Sequence, residues 1–362
     1  LDRQHRKIQH IEQALALPEE TGTSGFQDLL LVHNALPEMD PGDIDLSCTF
    51  LGKKLAAPLL INAITGGHEK TLPINRALAR LAARCGLAIA VGSQKAALED
   101  PAVIDTFRVV REENPTGVVL ANLSATCQPG EARRAVEMLA ADGLQLHLNA
   151  AQELAMVEGE TNFGHVADNI ARVAGELSVP VIVKEVGFGL SRDVVRRLYA
   201  GGITHFDIAG RGGTNFLQIE LARRGAAWPE ISDWGIPTAA ALLECVNLQL
   251  PVTIIASGGV RTYLDIVKAL VAGAQLVGMA RPLLQAVYSS EDVLFHYVDD
   301  LLQGMRRVMF LLGAVSIDRL ARVPLVITGA TAQWLAARGV DIAQWGKKDI
   351  LAEKEKVDPC RK

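Results

Sequence analysis

The chain has 362 residues, 49% of them apolar, 21% charged and only 5% aromatic. That length suits one large α/β barrel with extensions, and a core poor in rings must come from Val, Ile, Leu and Ala, as in parallel strands covered by helices. A net charge of −5 excludes a general nucleic-acid or anionic-membrane binder, which needs a basic face, and 32 glycines without a three-residue period exclude a collagen-like chain.

Residues 1–57 form an N-terminal extension that starts LDRQHRKIQHIEQAL. It is charged throughout and has no apolar h-region, so it does not read as a secretory signal. Arg6 and His10 stand four apart and share a face in a helix, with Lys7 beside them. Alone they are a solvated face; folded over a barrel mouth they would bring cations to a phosphate-bearing ligand.

From residue 58 one pattern recurs: a short apolar run, a polar or Gly-containing turn, then an amphipathic stretch. The runs are PLLINA (58–63), LAIAVGS (87–93), VVLANLS (118–124), LQLHLN (144–149), PVIVKEV (180–186), THFDIAG (204–210), VTIIASGG (252–259) and AQLVGMA ahead of Arg281. Between them INRALARLAARCG, GEARRAVEMLAADG, HVADNIARVAGELS, SRDVVRRLYAGG and TYLDIVKALVAGA carry apolar residues three and four apart, and most end at Gly. Eight successive βα units predict a closed (β/α)8 TIM barrel over 58–289, with N-terminal and C-terminal extensions. The competing open doubly wound sheet more often carries an early GxGxxG, which this chain lacks.

An insertion near 213–238 follows the sixth run. The tail, 290–362, has helical patterns at 291–312 and 331–338 and ends in KKDILAEKEKVDPCRK, expected to be poorly ordered. Every apolar stretch is cut short of the roughly 20 residues a spanning helix needs. The five cysteines are scattered, without CxxC or Cys/His metal spacing, as in a reduced, cytoplasmic protein.

Barrel sites form where strands end, and the residues closing these runs are polar. They are Asn62 with Thr65; Ser93-Gln94-Lys95; Asn122 with Ser124; His147, Asn149 and Gln152-Glu153; Lys184-Glu185; Gly210-Arg211-Gly212-Gly213-Thr214; Ser257-Gly258-Gly259 with Arg261; and Ala280-Arg281. Gly258, Gly259, Ala280 and Arg281 can cradle a phosphate with backbone amides after strands seven and eight; the plain alternative is a tight strand-to-helix turn. Lys184, charged on a buried strand, needs either a carboxylate partner or negative charge on a cofactor such as a reduced flavin. His147 is either a satisfied core histidine or a site residue beside Asn149 and Gln152. Glu153 can hold Mg²⁺ together with phosphates, or merely favour a helix start.

RKIQH, FQDLLLVHNALPEMD, FLGKKLAAPLLINAITGG, VGSQ, ANLS, LQLHLNAAQE, VIVKEVGFG, GRGGTNF, WGIPT, ASGGVR and GMARP together resemble the type 2 isopentenyl-diphosphate isomerases, which are FMN-dependent. The likeness covers most of the chain; HLNxxQE and RKxxH are its distinctive parts, whereas SGGxR is shared by many FMN barrels. It implies FMN held by Ala63, Ile64, Thr65, Ser93, Asn122, Lys184, Thr214, Gly258, Gly259, Val260, Arg261, Ala280 and Arg281. It implies a substrate diphosphate held by Arg6, Lys7, His10, Ser93, Lys95 and His147, with Gln152 at the reacting carbons and Glu153 on Mg²⁺. Ile64 stands where the family has methionine, and Arg211 lies in a turn where variation is expected. The resemblance further implies a redox-neutral reaction with FMN kept reduced by NADPH, in a homo-tetramer or homo-octamer. The rival readings are an FMN-dependent 2-hydroxyacid oxidase or dehydrogenase, which resembles a pattern with His where Gly210-Arg211-Gly212-Gly213 has none, and a non-catalytic flavin- or phosphate-binding barrel.

Overall fold

The computed structural model describes residues 3–16 and 23–350. Its centre is a closed barrel of eight parallel strands: β1 (Leu59–Ile61), β2 (Ala88–Ala90), β3 (Val119–Ser124), β4 (Gly143–His147), β5 (Val181–Lys184), β6 (His205–Asp207), β7 (Thr253–Ser257) and β8 (Leu276–Met279). Seven fall within the expected runs, and β4 starts one residue before its run, at Gly143. Closure is made by β8 pairing with β1, Val277 opposite Leu59 and Met279 opposite Ile61.

Strand side chains alternate between the two faces of the barrel wall. Leu59, Ile61, Val119, Ala121, Val181 and Val183 face the helices, while Leu60, Leu120, Ile182, Ile255 and Leu276 fill the interior. Two residues further along, the interior set becomes polar: Asn62, Asn122, Lys184 and Ser257 are all buried. The barrel is thus apolar at its floor and polar at its mouth.

The floor is sealed by a hairpin from the N-terminal extension, Cys48–Phe50 paired with Lys53–Leu55. Its two-residue turn has positive φ at both Leu51 (49°) and Gly52 (76°), the type I′ geometry matching strand twist. Phe50 and Leu55 pack into the interior cluster. The two extensions also meet each other, Leu29–Leu31 running antiparallel to Leu325–Ile327. The tail's helices appear as Glu291–Leu312 and Gly329–Ala337, but this strand had no helical period to announce it.

Four helices matter for the mouth: α1 (Arg3–Ala16), α2 (Ala150–Ala155), α3 (Phe216–Arg224) within the expected insertion, and α4 (Arg281–Ser289). Part of the charged end expected to be poorly ordered is anchored instead. Lys348 Nζ donates to Val271 O at 2.9 Å, Trp345 is buried, and burial lowers the Lys348 ammonium pKa to about 8. Residues 351–362, with Cys360, lie outside the described residues. Cys48, Cys85, Cys127 and Cys245 are free thiols, and among the described residues no helix is long and apolar enough to cross a membrane.

Candidate active site

A cavity of about 780 Å³ opens at the C-terminal ends of the strands, within the size range of small-molecule sites. One wall is α1, which lies over the mouth instead of facing solvent. Arg6 Nη1 donates to Glu158 Oε1 at 3.0 Å, Lys7 Nζ reaches Ser93 O at 3.4 Å, and His10 Nε2 donates to Glu220 Oε1 at 2.7 Å. Ile11, buried among the core residues, fixes the same face. Arg6, Lys7 and His10, the N-terminal cluster expected from the sequence, therefore do reach the barrel mouth.

A second part of the lining is a backbone cradle. Gly258 and Gly259 have φ of 98° and 71°, and a Cβ on them would lie 2.1 Å from Gly210 O and 2.4 Å from Gly212 O. Only glycine lets the β6 and β7 loops come this close. Arg261 ties them by donating from Nη2 to Gly212 O at 2.9 Å. Beside them α4 begins after Ala280 with no side-chain cap and with Pro282 in its first turn, and the N-terminal end of a helix favours an anion. Val260, Thr214 and Arg281 line the same wall, and Ala63, Ile64 and Thr65 line the cavity from β1. Thr65 Oγ1 is buried without a hydrogen-bond partner.

The polar ends of β3 to β5 line the same cavity. Lys184 is buried, and its Nζ donates to Glu185 O at 2.6 Å; among the described residues no carboxylate lies within salt-bridge reach. The carboxylate-partner reading of Lys184 therefore fails. His147, opposite Lys184 in the β4–β5 register, contacts Asn122 Oδ1 through Nδ1 at 2.8 Å. Burial, aided by the positive charges of Lys184 and Lys7, lowers its pKa to about 3, so the ring is neutral at pH 7. Ser93 and Lys95 follow β2, with Lys95 paired to Glu131.

Helix α2 starts directly after Asn149 and turns Gln152 and Glu153 into the cavity. Gln152 Nε2 donates to Glu220 Oε1 at 3.0 Å, and its Oε1 accepts from Asn149 Nδ2 at 3.3 Å. The amide is thereby oriented. Glu153 accepts at one oxygen from Asn149 Nδ2 and at the other from the Glu160 N–H, both at 2.8 Å. Each oxygen keeps a further lone pair. No group of three His, Cys, Asp or Glu poised for a metal occurs among the described residues.

The residues implied for both ligands thus share one cavity. Five others from the strand-end reading do not line it: Gly210 and Gly212, which pack against the cradle glycines, and three residues whose side chains turn away. Gln94 turns inward, accepting from the Asn122 N–H and donating to Ala135 O. Glu185 bends back so that one carboxylate oxygen accepts from the N–H groups of residues 186–189. Arg211 points outward to Asp233 O. Conversely, sequence reading missed Glu220, fully buried on α3 and bonded to His10, Gln152 and Arg223. Burial alone would raise its pKa; the three donors overcome this and hold it at about 2. Its signal was a carboxylate inside LQIEL, indistinguishable from an exposed helix position until α1 docks.

The sequence profile of FMN-dependent dehydrogenases matches residues 111–326. The chain is 47% identical over 339 residues to an isopentenyl-diphosphate delta-isomerase of Moorella thermoacetica, covering 93% of this chain and 97% of the other. It is 46% identical over 351 residues to the enzyme of the same name from Symbiobacterium thermophilum, covering 94% and 97%. Among solved structures, a flavocytochrome b2 variant with sulfite bound aligns with a TM-score of 0.65 at 18% identity, covering 97% of this chain and 88% of that one. A mandelate oxidase variant aligns with a TM-score of 0.64 at 17% identity, covering 88% and 95%; these likenesses carry the fold alone. With a full-length match of this closeness on an FMN-type barrel, the chain belongs to the isopentenyl-diphosphate delta-isomerase family.

Proposed function

We propose that the chain interconverts isopentenyl and dimethylallyl diphosphate with reduced FMN and Mg²⁺, NADPH serving to keep the flavin reduced. The observation that carries this reading is the second ligand set: Arg6, Lys7 and His10 on α1 and Gln152 and Glu153 on α2 face the same cavity as the flavin-type cradle. A barrel that only bound FMN has no use for it.

The residues fit both groups. The Gly258-Gly259 backbone and the start of α4 suit a flavin phosphate, and the unpartnered Thr65 Oγ1 offers a hydrogen bond toward the cavity. Lys184, without a carboxylate partner, suits negative charge on a reduced ring. Glu153 gives one carboxylate, which is enough for Mg²⁺ when diphosphate oxygens and waters complete its shell. Bound there, reduced FMN supplies an electron-rich ring against positive character at the reacting carbon.

The chain's own residues bind, orient and shield. Lys7, Lys95 and Arg6 place cations where a diphosphate would lie, and α1 covers it with Ile11 and Ala14, limiting water at the carbon skeleton. Gln152 is held by Glu220 and Asn149 in one orientation. A carboxamide is a poor acid, so its part is to position the alkene or relay a proton.

Product formation from isopentenyl diphosphate under anaerobic conditions, with FMN and Mg²⁺, with and without NADPH, tests the reading. No product in either case defeats it, and oxygen uptake with lactate or glycolate would favour the hydroxyacid-oxidase alternative. The variant Gln152→Ala should lose isomerisation while keeping its flavin absorbance; full activity would remove Gln152 from the mechanism.

A further inference from the structure

Beneath the cavity a row of buried amides crosses the barrel interior, and its polarity is fixed from one end. Asp207, fully buried on β6, accepts from Ser257 Oγ and, at 2.7 Å, from Asn62 Nδ2. A carboxylate only accepts, so Asn62 must present its NH₂ there. The backbone N–H of Ala63 confirms that orientation independently, because it can only donate, and it meets Asn62 Oδ1 at 2.9 Å. The same oxygen takes Gln145 Nε2 at 3.1 Å; Gln145 Oε1 takes Asn122 Nδ2 at 3.1 Å; and Asn122 Oδ1 faces His147 Nδ1 at 2.8 Å. The last oxygen accepts, so Nδ1 must carry the proton. Gly278 leaves room for the row: a Cβ there would lie 2.8 Å from Asn62 Nδ2.

We propose that Gln145, which is buried below the cavity, is a positioning residue that transmits the polarity of Asp207 to His147 and locks its neutral ring as the Nδ1–H tautomer. Nε2 then faces the cavity as a bare acceptor. It takes a hydrogen bond from an N–H or O–H outright. It meets a phosphate oxygen only through a shared proton, brought by a protonated diphosphate or gained by the ring. The tautomer stands on the hydrogen bonds alone; only the identity of the phosphate ligand rests on the proposed function.

The test is ring ¹⁵N NMR of the full chain labelled at histidine, with FMN added, at neutral pH. His147 is assigned by the signal lost in His147→Gln. The wild type should show Nδ1 protonated and Nε2 bare. In Gln145→Met the row is cut, Asn122 is free to turn over, and the Nε2–H form should appear. Gln145→Glu, protonated on the oxygen that faces the acceptor Asn62 Oδ1, keeps an acceptor toward Asn122 Nδ2 and should restore the wild-type pattern. An Nε2–H ring in the wild type, or a Gln145→Met spectrum identical to the wild type, overturns the proposal. Should Gln145→Met fail to fold, the wild type and Gln145→Glu still decide it, since an Nε2–H ring in either is contrary. Failure to isomerise isopentenyl diphosphate would sink the proposed function and leave this measurement standing.

Discussion

His10 Nε2 donates to Glu220 Oε1 at 2.7 Å, and the same oxygen accepts from Gln152 Nε2 at 3.0 Å. One buried carboxylate therefore ties the helix covering the mouth to the amide proposed to lie at the substrate carbons. Replacing it by an amide leaves Arg223 and His10 facing a neutral group and frees Gln152 to turn. Glu220→Gln should lower the isomerisation rate on the order of 10²-fold, the size of effect a slight misplacement of a reacting group produces. Flavin absorbance on titration with FMN should be unchanged, since Glu220 does not line the cradle. Wild-type turnover in this variant would show that docking of α1 and placement of Gln152 are independent.

The cradle makes a separate prediction. At Gly258, φ is 98° and an added Cβ would lie 2.1 Å from Gly210 O, a backbone atom that cannot swing aside. Gly258→Ala must push the β6 and β7 loops apart, at a cost of about 1–3 kcal/mol for overpacking. FMN affinity, read by fluorescence quenching, should fall at least about tenfold, which corresponds to about 1.4 kcal/mol. Retained affinity would place the flavin phosphate elsewhere.

Acid should destabilise the fold through His147. Its pKa of about 3 lies below the usual 6.5, because burial and the neighbouring lysines disfavour the charged ring. As pH falls below 6.5 the unfolded chain takes up this proton and the folded chain does not. The contribution to stability is therefore full above pH 6.5 and is lost toward pH 3, at up to about 1.4 kcal/mol per pH unit. Urea unfolding between pH 7.5 and 5 should show a smaller pH slope in His147→Gln than in the wild type. Equal slopes would mean that the ring is not held neutral.

What sequence reading recovered follows from how a barrel is built. Interior positions alternate with helix-facing ones, so Leu60 and Asn62, Leu120 and Asn122, or Ile182 and Lys184 announce both a strand and the end of it that faces a ligand. Position along the strand was legible; direction after it was not. Gln94 and Glu185 sit at strand ends like Ser93 and Lys184, yet each is drawn to nearby backbone groups. Glu220 illustrates the converse. Its burial depends on α1, more than 200 residues earlier in the chain, and nothing in the local pattern of α3 carries that contact. The Leu325–Ile327 strand likewise exists because Leu29–Leu31 comes to pair with it.

The proposed Mg²⁺ site rests on Glu153, and its surroundings make the conservative substitution informative. Its two oxygens accept from Asn149 Nδ2 and from the Glu160 N–H, each at 2.8 Å. A glutamine can satisfy only one of these, because its NH₂ would oppose a donor at the other. Glu153→Gln should therefore loosen the segment carrying Glu160 and remove the charge facing the metal. The Mg²⁺ concentration giving half-maximal isomerisation should rise at least about tenfold, equivalent to about 1.4 kcal/mol. Replacing Glu160 by proline removes the same N–H donor while keeping the carboxylate, and so separates the two effects. If that variant shifts the Mg²⁺ titration as far as Glu153→Gln does, the segment matters more than the charge; an unchanged titration in Glu153→Gln takes Glu153 out of the metal's shell altogether.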